Sequence, residues 1–290
     1  MNNIANSKYS IEKIVEKIEE KMPSLSPTAA KVIELVNNIN CSPLELTKVI
    51  KLDPVLSAKV LKVVNSSYFA LPQKITSLER AIIMLGLNTI KNLALSAALL
   101  SQFEVKGQKY LLDMKEFWKH SLAVGIVAKK IAIKRNIPKT EIEDYFLAGL
   151  IHDLGLLIEN IFYPDEFASI LKKSTEIGLI NAEEEELNKL NHCKIGKAIG
   201  EKWNLSQKLI NALYLHHDLP MVGENFEFIL TISFANIICK KNNKGLVIDK
   251  ISGEINPIIF NILNITEETI NEIVEQLDAE IEKAQEFLKI

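Results

Sequence analysis

Cysteine is scarce in this chain, and the little there is does not pair. Cys41, Cys193 and Cys239 are three in 290 residues, odd in number and without a CxxC spacing. That pattern argues against a disulfide framework and against a thiolate zinc site, and it points to a reducing cytosol. Long apolar runs are also lacking: stretches such as residues 93–100 fall far short of the roughly 20 residues needed to cross a bilayer. The first residues have neither an apolar core nor a small-residue cleavage pattern, so no signal peptide is expected. The expectation is a cytoplasmic protein without membrane contact. Repeats, low-complexity tracts and strand-like alternation are absent from the sequence as well. Charge of one sign is not concentrated, with 34 Lys and Arg against 37 Asp and Glu and a net charge of −3. Residues 1–105 hold 12 basic and 9 acidic side chains, a bias too weak for a nucleic-acid partner, which calls for a dense basic face.

What is present is helical periodicity. Residues 9–22 place Ile11, Ile14, Val15 and Ile18 on one helical face, and Pro23 ends that run. Ser26-Pro27, Ser42-Pro43 and Asp53-Pro54 each read as an N-cap followed by proline at the first helical position. Thr76 with Glu79 has the form of a capping box, and Asn88 is placed to cap the next helix. After a mixed segment at 104–110 the pattern predicts longer helices over 114–134, 140–158, 164–176, 183–201, 206–217 and 226–240. The second of these opens on Thr140 and Glu143. Residues 145–151 are almost wholly apolar, which places that helix in the core. From Thr266 onward Ile270, Ile273, Val274, Leu277, Ile281, Ala284 and Leu288 form a stripe, read as packing on its own protein in preference to a partner. The fold class is all-α.

All five histidines stand at four places within one half of the chain. His120 has Glu116 one turn before it, His152 adjoins Asp153, His192 precedes Gly196 by four residues, and His216 adjoins His217. Adjacent helical residues project about 100° apart, so a His–Asp pair can reach one ion and bridge to a second. Imidazole with carboxylate suits Fe, Mn, Zn or Ni, as one or two divalent transition-metal ions. The bland alternatives are buried structural histidines and helix C-terminal caps.

In this pattern the chain resembles the HD metal-dependent phosphohydrolases. His120 followed by His152-Asp153 is similar to the opening of their signature, and His192, His216 and His217 match the additional ligands of the HD-GYP branch. The whole chain is closer still to the HDOD family, the HD-related output domains of bacteria. The residues that carry this resemblance begin with Met22-Pro23-Ser24-Leu25-Ser26-Pro27, Asp53-Pro54-Val55-Leu56-Ser57 and Val64-Asn65-Ser66-Ser67-Tyr68-Phe69. They continue through Ile75-Thr76-Ser77-Leu78-Glu79-Arg80-Ala81, Leu85-Gly86-Leu87 and Phe117-Trp118-Lys119-His120-Ser121. The last are Leu147-Ala148-Gly149-Leu150-Ile151-His152-Asp153-Leu154-Gly155 and Trp203-Asn204-Leu205-Ser206. The resemblance covers about residues 15–240 and implies a multi-helix bundle of the HD type. Residues 1–105 would be an N-terminal helical subdomain, 110–240 the core with the histidine cluster, and 241–290 a C-terminal helical extension.

The resemblance also implies a regulatory role in bacterial signalling through a protein partner; a chain of this length leaves no room for a receiver or cyclase domain, so a stand-alone version is expected. It implies the metal ligands His120, His152, Asp153, His192, His216 and His217, with Glu116 and Asn236 as weaker candidates. Two departures from the enzyme pattern weigh against hydrolysis. Asn236 stands where a second aspartate closes the first metal site, and Leu156 and Leu157 occupy the run where the HD-GYP branch carries a lysine; no Gly-Tyr-Pro follows His217. Any retained ion is expected to favour the set Asp153, His192, His216 and His217. The alternative reading is a phosphohydrolase acting on a nucleotide or cyclic dinucleotide. A helix–turn–helix reading of residues 42–65 is weaker, because the turn holds Asp53-Pro54 and the second helix offers only Lys59 and Lys62.

Overall fold

Three proline-led helices open the fold, and each starts where a side chain takes over an orphan backbone N–H. A computed structural model of the chain describes residues 16, 25–103, 110–177, 191–218, 223–246 and 255–289. The predicted helix at 9–22, the Met22-Pro23-Ser24 part of the first motif, most of the 104–110 segment and the start of the helix predicted over 183–201 lie outside these residues. In α1 (Pro27–Asn37) Ser26 accepts from Ala29 N, and in α2 (Pro43–Lys51) Ser42 and Glu45 form a reciprocal capping box. In α3 (Pro54–Val64) Asp53 accepts from Val55 and Leu56. Helix α4 (Leu78–Leu85) is capped by Ser77 and not by Thr76, and Glu79 turns to Lys51. Helix α5 (Leu87–Leu100) follows Gly86, which takes φ +88°, so Asn88 lies inside the helix and donates to the Thr140 carbonyl.

The second half is built on α6 (Met114–Lys134), α7 (Ile142–Ile151), α8 (Leu154–Phe162) and α9 (Pro164–Ile177). Helices α10 (His192–Lys202), α11 (Gln207–Leu215), α12 (Phe226–Lys241), α13 (Ile258–Leu263) and α14 (Glu267–Ala284) complete it. Among the described residues all regular structure is helical, so the all-α reading holds. The helix predicted over 140–158 is two helices. Thr140 and Glu143 do not cap it: α7 has no side-chain cap, and Glu143 pairs with Lys129 at 2.8 Å. The break falls at His152-Asp153, where the His152 ring takes the Gly149 carbonyl at 2.8 Å. Periodicity misses this break because residues 145–151 of α7 and 154–160 of α8 are buried on all sides. The combined stretch Ile142–Phe162 is apolar and long enough to cross a bilayer by length and composition, a feature absent from the sequence reading. Within its most apolar window 89% is buried inside the fold, as expected of a core element.

Buried apolar side chains from Ala29 to Phe287 form one continuous core. Helix α5 joins the four helices before it to α7, and α6 packs on α7, α12 and α14. Tyr68, Phe146 and Phe287, from three distant parts of the chain, meet with ring centroids 5.0–5.9 Å apart. The stripe of α14 is occupied by its own protein: Ile270, Ile273, Leu277, Ile281 and Ala284 are buried, and the helix lies on α6. It is therefore not a free face for a partner.

Helices α6 and α7 approach closely where Gly125 meets Gly149. A Cβ on Gly149 would lie 2.6 Å from the Gly125 Cα, against backbone that cannot rotate away. Gly149→Ala is therefore expected to lower the thermal midpoint, by an overpacking cost of about 1–3 kcal/mol. Helix propensity alone would raise stability by about 1 kcal/mol. Thermal unfolding followed by circular dichroism separates the two signs.

Candidate metal centre

Asp153 is the middle of the cluster. It sits between α7 and α8, buried, with φ −99° and ψ 17°, and its side chain caps nothing. Its two oxygens face different histidines. Oδ2 lies 3.0 Å from His152 Nε2 and 3.9 Å from His120 Nε2, while Oδ1 lies 3.2 Å from His216 Nε2 and 3.6 Å from His192 Nε2. Burial disfavours its charge, but His152 and His216 beside it hold the carboxyl well below the usual range.

Backbone carbonyls fix the direction of three rings. A carbonyl only accepts, so the ring nitrogen facing it must carry the proton. His152 Nδ1 donates to Gly149 O at 2.8 Å, His120 Nδ1 to Lys244 O at 3.0 Å, and His216 Nδ1 to Ala212 O at 3.0 Å. Each Nε2 then points into the cluster. Metal-binding histidines are commonly oriented in this way.

Two glycines permit the approach. A Cβ on Gly155 would come 1.9 Å from the His192 carbonyl, so glycine lets α8 meet the start of α10. Gly245, at φ +91°, lets the loop after α12 lie on α6, where an added Cβ would be 2.4 Å from His120 N. The same loop donates from Leu246 N to Glu116 O at 3.1 Å and presents the Lys244 carbonyl to His120.

The donor set fits dications. Burial, with His152 nearby, lowers His120 to about 4, and burial also pushes His152 down. His152 Nε2 is buried without a hydrogen-bond partner. The neutral His152 ring thus aims a lone pair at a carboxylate oxygen 3.0 Å away. His120 Nε2 and Asn236 Oδ1 likewise stand 3.0 Å apart. Rotating the Asn236 amide would relieve that second clash of acceptors; Asp153 has no such option. Two ligands of one ion with bonds near 2.1 Å come about 3 Å apart, which is the spacing seen. Two groups of side chains converge closely enough to share an ion: His120, His152 and Asp153, and Asp153, His192, His216 and His217. Within each group the ligand atoms lie within 4.8 Å of one another.

The structure thus brings together His120, His152, Asp153, His192, His216, His217 and Asn236. It leaves Glu116 outside, half-exposed and 3.8 Å from Lys119 Nζ. His217 is half-buried, and burial beside the charge of His216 holds it well below its ordinary range; its Nε2 lacks a hydrogen-bond partner. One participant was missed by spacing. Cys193, next to His192, places Sγ 3.4 Å from His192 Nε2 and 3.9 Å from His216 Nε2. Burial raises a thiol, but His192 and His216 bring Cys193 down to about 6. Burial opposes charge on His216 too, yet the sulfur and the Asp153 carboxylate raise it to about 9. The position of Cys193 beside a candidate ligand was the one available signal.

The sequence pattern of the HDOD domain matches residues 22–219. A curated relative from Treponema pallidum (strain Nichols), an uncharacterized protein, is 24% identical over 230 residues, covering 78% of this chain and 44% of that protein. The chain therefore spans less than half the length of that relative. An HDOD domain protein of unknown function from Geobacter sulfurreducens has a similar structure, with TM-score 0.79 at 22% identity, covering 96% of this chain and 99% of that one. A Shewanella amazonensis SB2B protein whose name proposes a phosphohydrolase gives 0.74 at 20% identity, covering 95% and 97%. A Marinobacter aquaeolei VT8 protein whose name proposes signal transduction gives 0.73 at 20% identity, covering 98% of this chain and 62% of that one. At these identities the structural likenesses carry the fold alone. The family pattern spans more than half of the chain, and the chain belongs to the HDOD domain family.

Proposed function

We propose that this protein is a regulatory module of bacterial signal transduction that acts through a protein partner, holding one or two divalent transition-metal ions without efficient hydrolysis. The observation that carries this reading is Asn236, a neutral amide facing His120 Nε2. Among the described residues, Asp153 is the sole carboxylate in either ligand group. A phosphodiester transition state needs cationic stabilisation of its oxygens, and Leu156 and Leu157 supply none. Bound ions would contribute Lewis acidity; His120, His152 and Asp153 would hold the first, and Asp153 with His192, His216 and His217 the second. Support for a partner comes from exposed apolar side chains on α2–α4, tied together by Lys51 and Glu79. Leu52, Val55 and Ile83 there are 75%, 63% and 81% exposed. The second reading, a metal-dependent phosphohydrolase, is favoured by the complete second group.

Elemental analysis of the purified protein is expected to find a transition metal, with negligible turnover on a panel of phosphodiesters supplied with Mn or Fe. Turnover that vanishes in Asp153→Ala would replace the regulatory reading with the hydrolase. Asp153→Ala is expected to abolish the metal-dependent rise in thermal midpoint. A pH dependence follows from His216, which is raised to about 9 in the absence of an ion. An ion on its Nε2 must displace that proton, so apparent affinity should rise about tenfold per pH unit between about 7 and 9. A competition titration with a chelating dye measures this, and a flat profile would remove His216 from the ligands.

A further inference from the structure

We propose that Cys193 is a ligand in the second half of the cluster, so that this half offers a thiolate beside imidazole and carboxylate. It would then select a borderline or soft dication such as Zn(II), Co(II) or Fe(II) over Mn(II). The inference rests on the cluster holding an ion, and it reverses the expectation, drawn from cysteine spacing, that no thiolate takes part.

Cys193 Sγ, His192 Nε2 and His216 Nε2 form a triangle with edges of 3.4, 3.4 and 3.9 Å. The centre of such a triangle lies about 2.1 Å from each corner, close to Zn–N bonds of about 2.0–2.1 Å and a Zn–S bond of about 2.3 Å. Asp153 Oδ1, on a buried side chain, stands 3.2 and 3.6 Å from the same two nitrogens. An ion seated on the triangle therefore needs little rearrangement of its donors.

The ordinary role of a buried cysteine is that of a small hydrophobe. Cys193 does not fit it, because its sulfur meets imidazole nitrogens from two helices. Cys41 and Cys239 are buried too, but the Cys41 thiol donates to the Ser42 carbonyl and burial pushes the Cys239 thiol up. Helix α10 makes the placement possible: Asn191 caps it through Lys194 N, so His192 and Cys193 both lie in its first turn. The consequence is a division of charge. The second half then has two anionic donors, Asp153 and Cys193, whereas the first has Asp153 alone beside the neutral Asn236 amide and its two imidazoles. Thiolate donors favour softer ions, and an all-oxygen and imidazole set would not discriminate against manganese so strongly.

The test is optical. The metal-free full chain is loaded with Co(II), and its visible d–d bands report occupancy while a near-ultraviolet sulfur-to-cobalt band reports a thiolate bond. Both are expected in the wild type and in a Cys41→Ser, Cys239→Ser double variant. Cys193→Ser is expected to keep d–d bands, lose the sulfur band, and bind Zn(II) about tenfold or more weakly, at least the loss typical of an outer-shell partner. Wild-type d–d bands without the sulfur band would overturn the assignment whether or not the variant folds. A sulfur band that survives in Cys193→Ser would overturn it as well. No bound cobalt at all would overturn the metal reading on which it rests.

Discussion

One buried carboxylate organises the second half of this protein. Asp153 lies where α7 gives way to α8, and its two oxygens divide the surrounding imidazoles into two groups. A carboxylate this far from water is tolerated only with positive charge or strong hydrogen bonds beside it. In the metal-free chain that charge comes from His216, raised by Asp153 and Cys193 against the opposing effect of burial. The His216 proton thus occupies a place that a bound dication would take. His120 and His152 are held neutral by burial, with lone pairs turned inward.

The cluster is held from behind by backbone. Gly149 O, Ala212 O and Lys244 O each take an Nδ1 proton, and they belong to α7, α11 and the loop after α12. Ring orientation therefore depends on how these elements pack, and the packing depends on glycines where a Cβ would strike backbone. Gly125 and Gly149 set the distance between α6 and α7, Gly155 that between α8 and α10, and Gly245 that of the loop on α6. The core and the cluster are the same structural problem solved at different points along the same helices.

Much of this was legible in the sequence, for physical reasons. Proline at the first helical position after Ser or Asp marked the starts of α1, α2 and α3, because cap and ring both act locally. The histidine pattern pointed to six side chains that do come together. The failures share a cause as well. Local spacing points to Thr76, Asn88 and Thr140, yet Ser77, Gly86 and contacts between helices decide those ends. The break at His152 is hidden because fully buried helices show no polar face. Cys193 was set aside for lacking a CxxC partner, although its partners are histidines, one of them 23 residues away. Glu116 sits one helical turn from His120, but its side chain turns to the surface.

Lys244 joins two things that the chain keeps far apart. Its carbonyl receives the His120 proton, while its ammonium reaches Asp278 of α14 at 2.7 Å. Helix α14 also lies along α6, which carries His120. Seating of the last long helix and the aim of one imidazole are therefore thermodynamically linked. Such linkage is reciprocal: whatever draws His120 inward favours a docked α14, and whatever lifts α14 weakens the hold on that ring by the same free energy.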